Sequence, residues 1–222
     1  MKISKIKSNA KLNLALNITG KKKGLHKIES IIGFIDLHDV ILINQYKGNK
    51  HLISFYGKFS KNIDKKNTVE KLFQILDKQN LIKKKKFKIR IKKNIPQEAG
   101  LGGGSMNAAS VLNYLIKKKI TNPNHKKIRS ICELIGSDVV LGTISSNCVL
   151  SSNGRIKKIY NSQKYYTILV KPNFGCSTKE IYSGVKKFTK PRLSSPKKYM
   201  FYSKYLINQK NALEEIAFKK YP

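Results

Sequence analysis

Residues 96–109 read PQEAGLGGGSMNAA, and this glycine-rich stretch decides what the sequence predicts. Four glycines fall within five positions, between an alternating segment and a segment with helical spacing. A helix that begins directly after such a loop presents several backbone N–H groups together. These groups and the positive end of the helix dipole favour a bound anion. The stretch therefore predicts a phosphate-binding loop, with a tight structural turn as the alternative.

Two common nucleotide motifs do not describe this loop. The pattern GxxxxGK[ST] of the Walker A loop is absent from it. No parallel βαβ unit with a later acidic residue follows it, so a dinucleotide-binding fingerprint is not indicated either.

The composition indicates a folded and very basic protein. The chain has 222 residues, 40% of them hydrophobic, and a formal net charge of +34. Such a charge suggests nucleic acid or another anionic partner. However, the basic residues are 42 Lys and 4 Arg spread along the chain, whereas nucleic-acid readers depend on Arg for bidentate contacts. A general compositional bias toward Lys is the alternative that we favour over a nucleic-acid partner.

The sequence predicts a cytoplasmic protein with no membrane partner. Its three cysteines are far apart without a CxxC pair, which fits buried free thiols in a reducing compartment. No signal peptide and no apolar stretch of eighteen residues is found.

Hydrophobic periodicity predicts an α+β fold. Leu12, Leu14, Leu16 and Ile18 alternate with smaller or polar residues, so residues 11–18 form a strand on which Lys11 and Asn13 share the opposite face. Further strands are predicted near residues 31–34, 40–43, 87–91, 148–150, 156–160 and 167–170. Helical spacing predicts helices over residues 69–76, 108–116 and 128–135, after a capping box at 177–180, and from 213 onward. We expect a first domain over residues 1–160 and a second over 161–222.

Taken singly, the candidate catalytic residues have ordinary interpretations. Asp138 lies between a helix end and an apolar run, where a turn or cap residue is common. Lys11 would lie on a solvated strand face, and His26 in an exposed loop. A phosphoryl-transfer site nevertheless needs a carboxylate base, and this chain has only twelve acidic residues.

Five segments together resemble one family. The glycine loop resembles the second signature of the GHMP kinases, P-x-x-x-G-L-G-S/G-S/G-S/A-S/A-D/N-A-A. The segments NAKLNLALNITGKKKGLH (9–26), IGSDVVLG (135–142), KPNFGCSTKEIY (171–182) and NALEEIA (211–217) are similar, in order and spacing, to segments of one branch of that superfamily.

The resemblance implies a two-domain kinase with a ribosomal-protein-like first domain. Members of this branch use ATP and Mg²⁺ to phosphorylate the 2-hydroxyl of 4-diphosphocytidyl-2-C-methyl-D-erythritol, on the methylerythritol phosphate route to isoprenoids. By match, Asp138 takes the general-base position and Lys11 that of its charge partner. Asn13 and His26 match residues on the substrate side. The positions that match ATP-binding residues are Pro96, Gln97, Glu98, Ala99, Gly100, Leu101, Gly102, Gly103, Gly104, Ser105, Met106 and Asn67.

The sequence departs from the pattern at several positions. Leu25 replaces a Tyr of the cytidine contact, Val140 a Pro, Met106 a small loop residue, and Ala212 an Asp. The family's third, glycine-rich signature does not occur before the last residue. We therefore expect an incomplete C-terminal domain, in a fragment or in a short version of reduced activity.

Two alternative functions are kept open. One is another small-molecule GHMP kinase, of the homoserine or mevalonate type. The other is a basic nucleic-acid-binding protein, whose binding should weaken steeply with salt.

Overall fold

The structure is a computed structural model that describes residues 2–22, 24–172 and 174–221. Its strands are β1 (Ser4–Lys22), β2 (Leu25–Tyr46), β3 (Leu52–Tyr56), β4 (Lys86–Lys92), β5 (Cys148–Leu150) and β6 (Ile156–Lys158). Its α-helices are α1 (Thr68–Lys78), α2 (Gly103–Lys117), α3 (His125–Ile135), α4 (Val139–Ile144), α5 (Thr178–Ser183), α6 (Ser203–Leu206) and α7 (Glu214–Lys220). A short 3₁₀ helix spans Lys198–Phe201. The mixture of helices with largely antiparallel strands confirms the predicted α+β class.

The chain divides into two units, neither of which is contiguous in sequence. The first contains the described residues within 2–10, 36–97 and 101–145, and the second those within 11–35, 98–100 and 146–221. The expected domain boundary at residue 160 stays a prediction.

In the first unit, helices α1 to α4 share a hydrophobic core with a sheet. The second half of β2 pairs antiparallel with β4, and β3 lies parallel to β4. Helix α1 forms because Asn67 caps it and because four apolar residues recur at helical spacing. These four side chains are at most 1% exposed, and burial of such a side chain contributes about 1.5–3 kcal/mol. They are Val69, Leu72, Phe73 and Leu76.

The second unit has a smaller core around the first half of β2. Ser30 lies opposite Leu150 in the antiparallel β2–β5 pair, and β6 pairs with β5. The buried residues of this core come from β1, β2 and β5, from the chain after β6 and before the 3₁₀ helix, and from that helix itself. They are Ala15, Ile31, Val149, Ile159, Leu193, Met200 and Phe201.

The strand predicted at residues 167–170 is wrong. The described chain has no regular structure there, and Ile168 and Val170 are 90% and 89% exposed. A short apolar segment becomes a strand only where a neighbouring edge offers backbone partners. The strands predicted at 31–34 and 40–43 are parts of the single long strand β2.

No helix within the described residues is long and apolar enough to cross a membrane. Cys132 and Cys148 are buried free thiols, as predicted, whereas Cys176 is half-buried. Burial raises the pKa of Cys132 to about 11 and that of Cys148 to about 12, so both stay protonated at neutral pH.

Candidate active site

The glycine loop joins β4 to α2, as the sequence predicts. Gly102 is the N-cap residue of α2 and has a φ of 67°, and Gly100 has a φ of 70°. Both values lie in the left-handed region of backbone conformation, which residues other than glycine rarely adopt. The two glycines therefore let the chain turn sharply into the helix.

The N-terminus of α2 is suited to an anion. Its cap residue has no side chain to occupy the helix end, and no acidic residue lies in its first turn. The N–H group of Met106 already bonds to the Gly102 carbonyl at 2.9 Å, whereas the N–H groups of residues 103–105 have no acceptor within the helix. Gly104 is exposed, so a phosphate group can approach this turn from solvent.

The glycines of the first turn also serve close packing. A Cβ atom on Gly103 would lie 3.0 Å from Cγ2 of Ile95 and 3.2 Å from Nζ of Lys93. A Cβ atom on Gly104 would lie 3.3 Å from Oγ1 of Thr68, which donates a 2.6 Å hydrogen bond to the Gly104 carbonyl. The structural-turn interpretation and the phosphate-loop interpretation are thus compatible.

Met106 does not obstruct the loop. Its side chain is 1% exposed and lies against α4, where a Cβ atom on Gly142 would be 3.1 Å from its Sδ atom. The larger residue at this position is accommodated inside the core. Gln97 holds the start of the loop by donating to the Phe59 and Lys61 carbonyls at 3.2 and 2.7 Å.

Lys11 is not on a solvated strand face. It is 6% exposed, and its ammonium donates a 2.5 Å hydrogen bond to Oδ1 of Asn13. Asn13 in turn donates to Oγ of Ser30 at 2.8 Å, and Ser30 donates to the Ala15 carbonyl at 2.5 Å. Lys11 and Asn13 thus share one face of β1, as the alternation predicts, and they belong to a series of hydrogen-bonded side chains.

His26 lies on β2 rather than in an exposed loop. Its half-buried ring packs beside Tyr182, with ring centroids 5.2 Å apart, and 6.4 Å from Phe188. Leu25, where the family has Tyr, is 76% exposed. An aromatic group near His26 is therefore supplied by Tyr182 of helix α5.

Asp138 directly precedes α4 and is half-buried. Within the described chain, its carboxylate makes no capping hydrogen bond to the first turn of α4. The following residue, Val139, is fully buried and fixes this helix start in the core of the first unit. The simple helix-cap interpretation is therefore not supported.

The side chain of Asn67 is the cap of α1. Its Oδ1 atom accepts from the N–H groups of Val69 and Glu70, both at 3.0 Å, and its Nδ2 atom donates to the carbonyls of Asp64 and Lys65. These bonds fix the position of Asn67, whose adenine-side role stays a prediction.

Sequence reasoning missed two fully buried carboxylates, Asp39 and Glu29. Asp39 lies in the first unit beside Lys93, and Glu29 in the second unit accepts hydrogen bonds from Asn17 and from the backbone of Arg192 and Leu193. One sequence pattern could have indicated these two residues. Each carboxylate precedes an apolar strand segment in a chain that has few acidic residues.

The structure brings part of the predicted site together within each unit. Lys11 and Asn13 are hydrogen-bonded in the second unit, which also contains His26. Residues 101–106, Asn67 and Asp138 belong to the first unit. A cavity of about 560 Å³, lined by five lysines and Tyr114, lies at the C-terminal half of α2 and not at its glycine-rich end.

The fold and the loop define the class of protein. Residues 67–154 match the GHMP kinases N terminal domain. A crystal structure of 4-(cytidine 5'-diphospho)-2C-methyl-D-erythritol kinase superposes with a TM-score of 0.72 at 20% identity, covering 99% of this chain and 79% of the other. A homoserine kinase from Cytophaga hutchinsonii gives 0.60 at 14% identity, over 85% of this chain and 62% of the other. This is the fold of the GHMP kinases.

The sequence relatives identify one family within the GHMP kinases. A 4-diphosphocytidyl-2-C-methyl-D-erythritol kinase of Pelagibacter ubique is 55% identical over 98% of this chain and 78% of its own length. The enzyme of the same name from Fusobacterium nucleatum is 38% identical over 80% of this chain and 62% of its own. The chain belongs to the family of 4-diphosphocytidyl-2-C-methyl-D-erythritol kinases. It spans about four fifths of the length of its Pelagibacter relative.

Proposed function

We propose that this chain is a kinase that transfers the γ-phosphoryl group of ATP to the 2-hydroxyl of 4-diphosphocytidyl-2-C-methyl-D-erythritol, in isoprenoid biosynthesis. The observation that carries the proposal is the 55% identity to the Pelagibacter kinase over 98% of the chain. A cytoplasmic location is part of the same proposal.

The glycine loop holds the phosphates of ATP in this proposal. The left-handed Gly100 and Gly102 and the open first turn of α2 support it. No group of three His, Cys, Asp or Glu side chains within the described residues could hold a metal ion alone. That fits Mg²⁺ carried by the nucleotide, because Mg²⁺ usually binds through substrate phosphates, water and one or two carboxylates. When bound, the ion neutralises charge on the phosphates.

Asp138 accepts the proton of the acceptor's 2-hydroxyl group. The oxygen of that hydroxyl forms the new bond to the γ-phosphorus. The bond between that phosphorus and the β–γ bridging oxygen breaks, and ADP leaves. A positioned general base contributes typically about 10²–10⁴ in rate. Lys11 provides positive charge to the transferring group, and its hydrogen bond to Asn13 supports a fixed ammonium position.

The acceptor is bound through Asn13 and His26. The amide of Asn13 is held by Ser30, so its remaining hydrogen-bonding capacity has a defined direction. The His26 ring, packed near Tyr182 and Phe188, offers an aromatic surface and ring nitrogens for a cytosine base. Asn67 contributes on the adenine side of ATP.

The proposal is tested by measuring ADP release by the purified chain with ATP and Mg²⁺. Three acceptors are compared: the cytidine substrate, homoserine and mevalonate. We expect ADP release with the cytidine substrate, and release with homoserine or mevalonate instead would contradict the proposal. Retention on nucleic acid at rising salt is followed in parallel. Retention without any acceptor-dependent ADP release would favour a nucleic-acid-binding protein.

A further inference from the structure

We propose that Asp39 is a positioning residue that fixes both ends of the glycine loop for nucleotide binding. This role rests on the proposed kinase function and deepens it, because it assigns the group that keeps the loop in shape. Asp39 lies on β2 and is fully buried.

The Asp39 carboxylate accepts hydrogen bonds from the segment that enters the loop. Its Oδ1 atom accepts from the N–H groups of Asn94 and Ile95, at 2.8 and 2.9 Å. The Asn94 amide also donates to the His38 carbonyl at 2.9 Å. The chain that leaves β4 is therefore fixed to β2 directly before Pro96.

The other carboxylate oxygen faces the helix that leaves the loop. Oδ2 of Asp39 accepts from Nδ2 of Asn107 at 2.9 Å and from the ammonium of Lys93. Asn107 lies one turn into α2 and is 1% exposed. A single carboxylate thus joins both ends of the loop, residues 96–102.

Packing connects the same residues to the first turn of α2. Ile95 and Lys93 lie directly against Gly103, at 3.0 and 3.2 Å from the position of its absent Cβ atom. Lys93 is 4% exposed, and a buried ammonium beside the positive end of a helix is unfavourable without a nearby anion. Asp39 supplies that anion, so the Lys93 side chain can pack against Gly103.

The arrangement has a consequence for nucleotide affinity. If the entry and exit of the loop move apart, the N–H groups of residues 103–105 lose their shared direction toward a phosphate. Loss of Asp39 should therefore weaken ATP binding, whereas the proposed acceptor residues Asn13 and His26 belong to the second unit and should be unaffected.

The test uses Asp39→Asn, which retains one oxygen for the backbone N–H groups but turns an NH₂ group toward Lys93 and Asn107. Two controls accompany it. Asp36→Asn makes the same change at an exposed position of the same strand. Leu72→Ala removes a fully buried apolar side chain from the core of the same unit and so measures the effect of general destabilisation.

Two measurements are made at a temperature at which all variants are folded by circular dichroism. The first is the KM for ATP and for the acceptor, and the second is amide hydrogen exchange over residues 94–107. For Asp39→Asn we expect the ATP KM to rise about tenfold or more, since misplacement by about 1 Å can cost up to about a hundredfold. We expect an unchanged acceptor KM and faster exchange over 94–107. Leu72→Ala should keep the parent ATP KM.

An Asp39→Asn variant with the parent ATP KM and parent exchange over 94–107 would overturn the proposal. An equal rise of the ATP KM in Leu72→Ala would overturn it too, because the effect would then be one of general stability. The exchange measurement needs no kinase activity, so a parent protein without turnover refutes the kinase proposal separately. If Asp39→Asn does not fold, Asn107→Ala decides by the same two measurements, because it removes one partner without leaving a buried charge unpaired.

Discussion

The ammonium of Lys11 donates a 2.5 Å hydrogen bond to Oδ1 of Asn13, two residues further along β1, and Lys11 is almost completely buried. A lysine kept out of solvent in a chain with 42 lysines is not explained by surface charge. This hydrogen bond connects Lys11, the proposed source of positive charge, to Asn13, a proposed substrate-binding residue.

Lys11→Ala should lower kcat by about 10²–10³, because fixed positive charge near a transferring phosphoryl group is a large catalytic contribution. The matched control is Lys7→Ala, which removes an exposed lysine from the same strand. Steady-state kinetics with the cytidine substrate measures both. A kcat for Lys11→Ala equal to that of the control would remove Lys11 from the mechanism.

Much of the first unit could be predicted from sequence because its elements carry local signals. Helical spacing places α1 and α2, and the glycines mark the turn between β4 and α2. In the second unit, the capping pattern at Ser177 predicts α5, where the hydroxyl accepts from the Glu180 N–H group.

What could not be predicted depends on distant partners. Asp39 bonds to residues more than fifty positions away. Residues 167–170 are mostly apolar and β-branched like a strand, but in the described chain no neighbouring edge pairs with them. β3 lacks a clear alternating signal and forms because β4 offers a parallel edge.

Asp138→Asn should greatly slow phosphoryl transfer while leaving ATP affinity at the parent level. An amide cannot accept the hydroxyl proton, and the expected loss in kcat is about 10²–10⁴. Product formation and ATP binding by calorimetry measure the two effects separately. The control is Glu133→Gln, which changes an exposed carboxylate five residues earlier in the chain. Near-parent turnover of Asp138→Asn would show that this carboxylate is not the base.

Gly102→Ala should weaken ATP binding. The φ of 67° at this N-cap costs roughly 1–2 kcal/mol for a residue with a Cβ atom. The same strain is introduced by Gly154→Ala, where φ is 79° in the turn between β5 and β6. We expect similar losses of unfolding free energy in urea but a raised ATP dissociation constant only for Gly102→Ala. Unchanged ATP affinity in Gly102→Ala would argue against the phosphate loop.

His51 should make the free energy of unfolding decrease as the pH is lowered. Burial lowers the pKa of His51 below its usual 6.5, although Asp77 opposes the shift. Nδ1 of His51 accepts the Phe87 N–H group at 3.2 Å, and its ring centroid is 4.2 Å from that of Phe73, so the fold favours neutral imidazole. The unfolded chain binds the proton more readily. The contribution is therefore fully present above pH 6.5 and is lost progressively as pH falls from there through the folded pKa.

Urea unfolding between pH 8 and 5 measures this effect. His51→Gln should show a smaller decrease in unfolding free energy over that range than the parent. His125→Gln, which changes an exposed histidine, should behave as the parent does. An identical pH dependence in parent and His51→Gln would show that His51 does not titrate differently in the folded state.

The most direct test of the central claim is phosphorus NMR of the parent chain incubated with ATP, Mg²⁺ and 4-diphosphocytidyl-2-C-methyl-D-erythritol. We predict a new phosphomonoester signal, assigned by its coupling to the 2-position of the erythritol, that grows in step with ADP. ATP converted only to ADP and inorganic phosphate, or a phosphomonoester formed only when homoserine or mevalonate is supplied, would contradict the account.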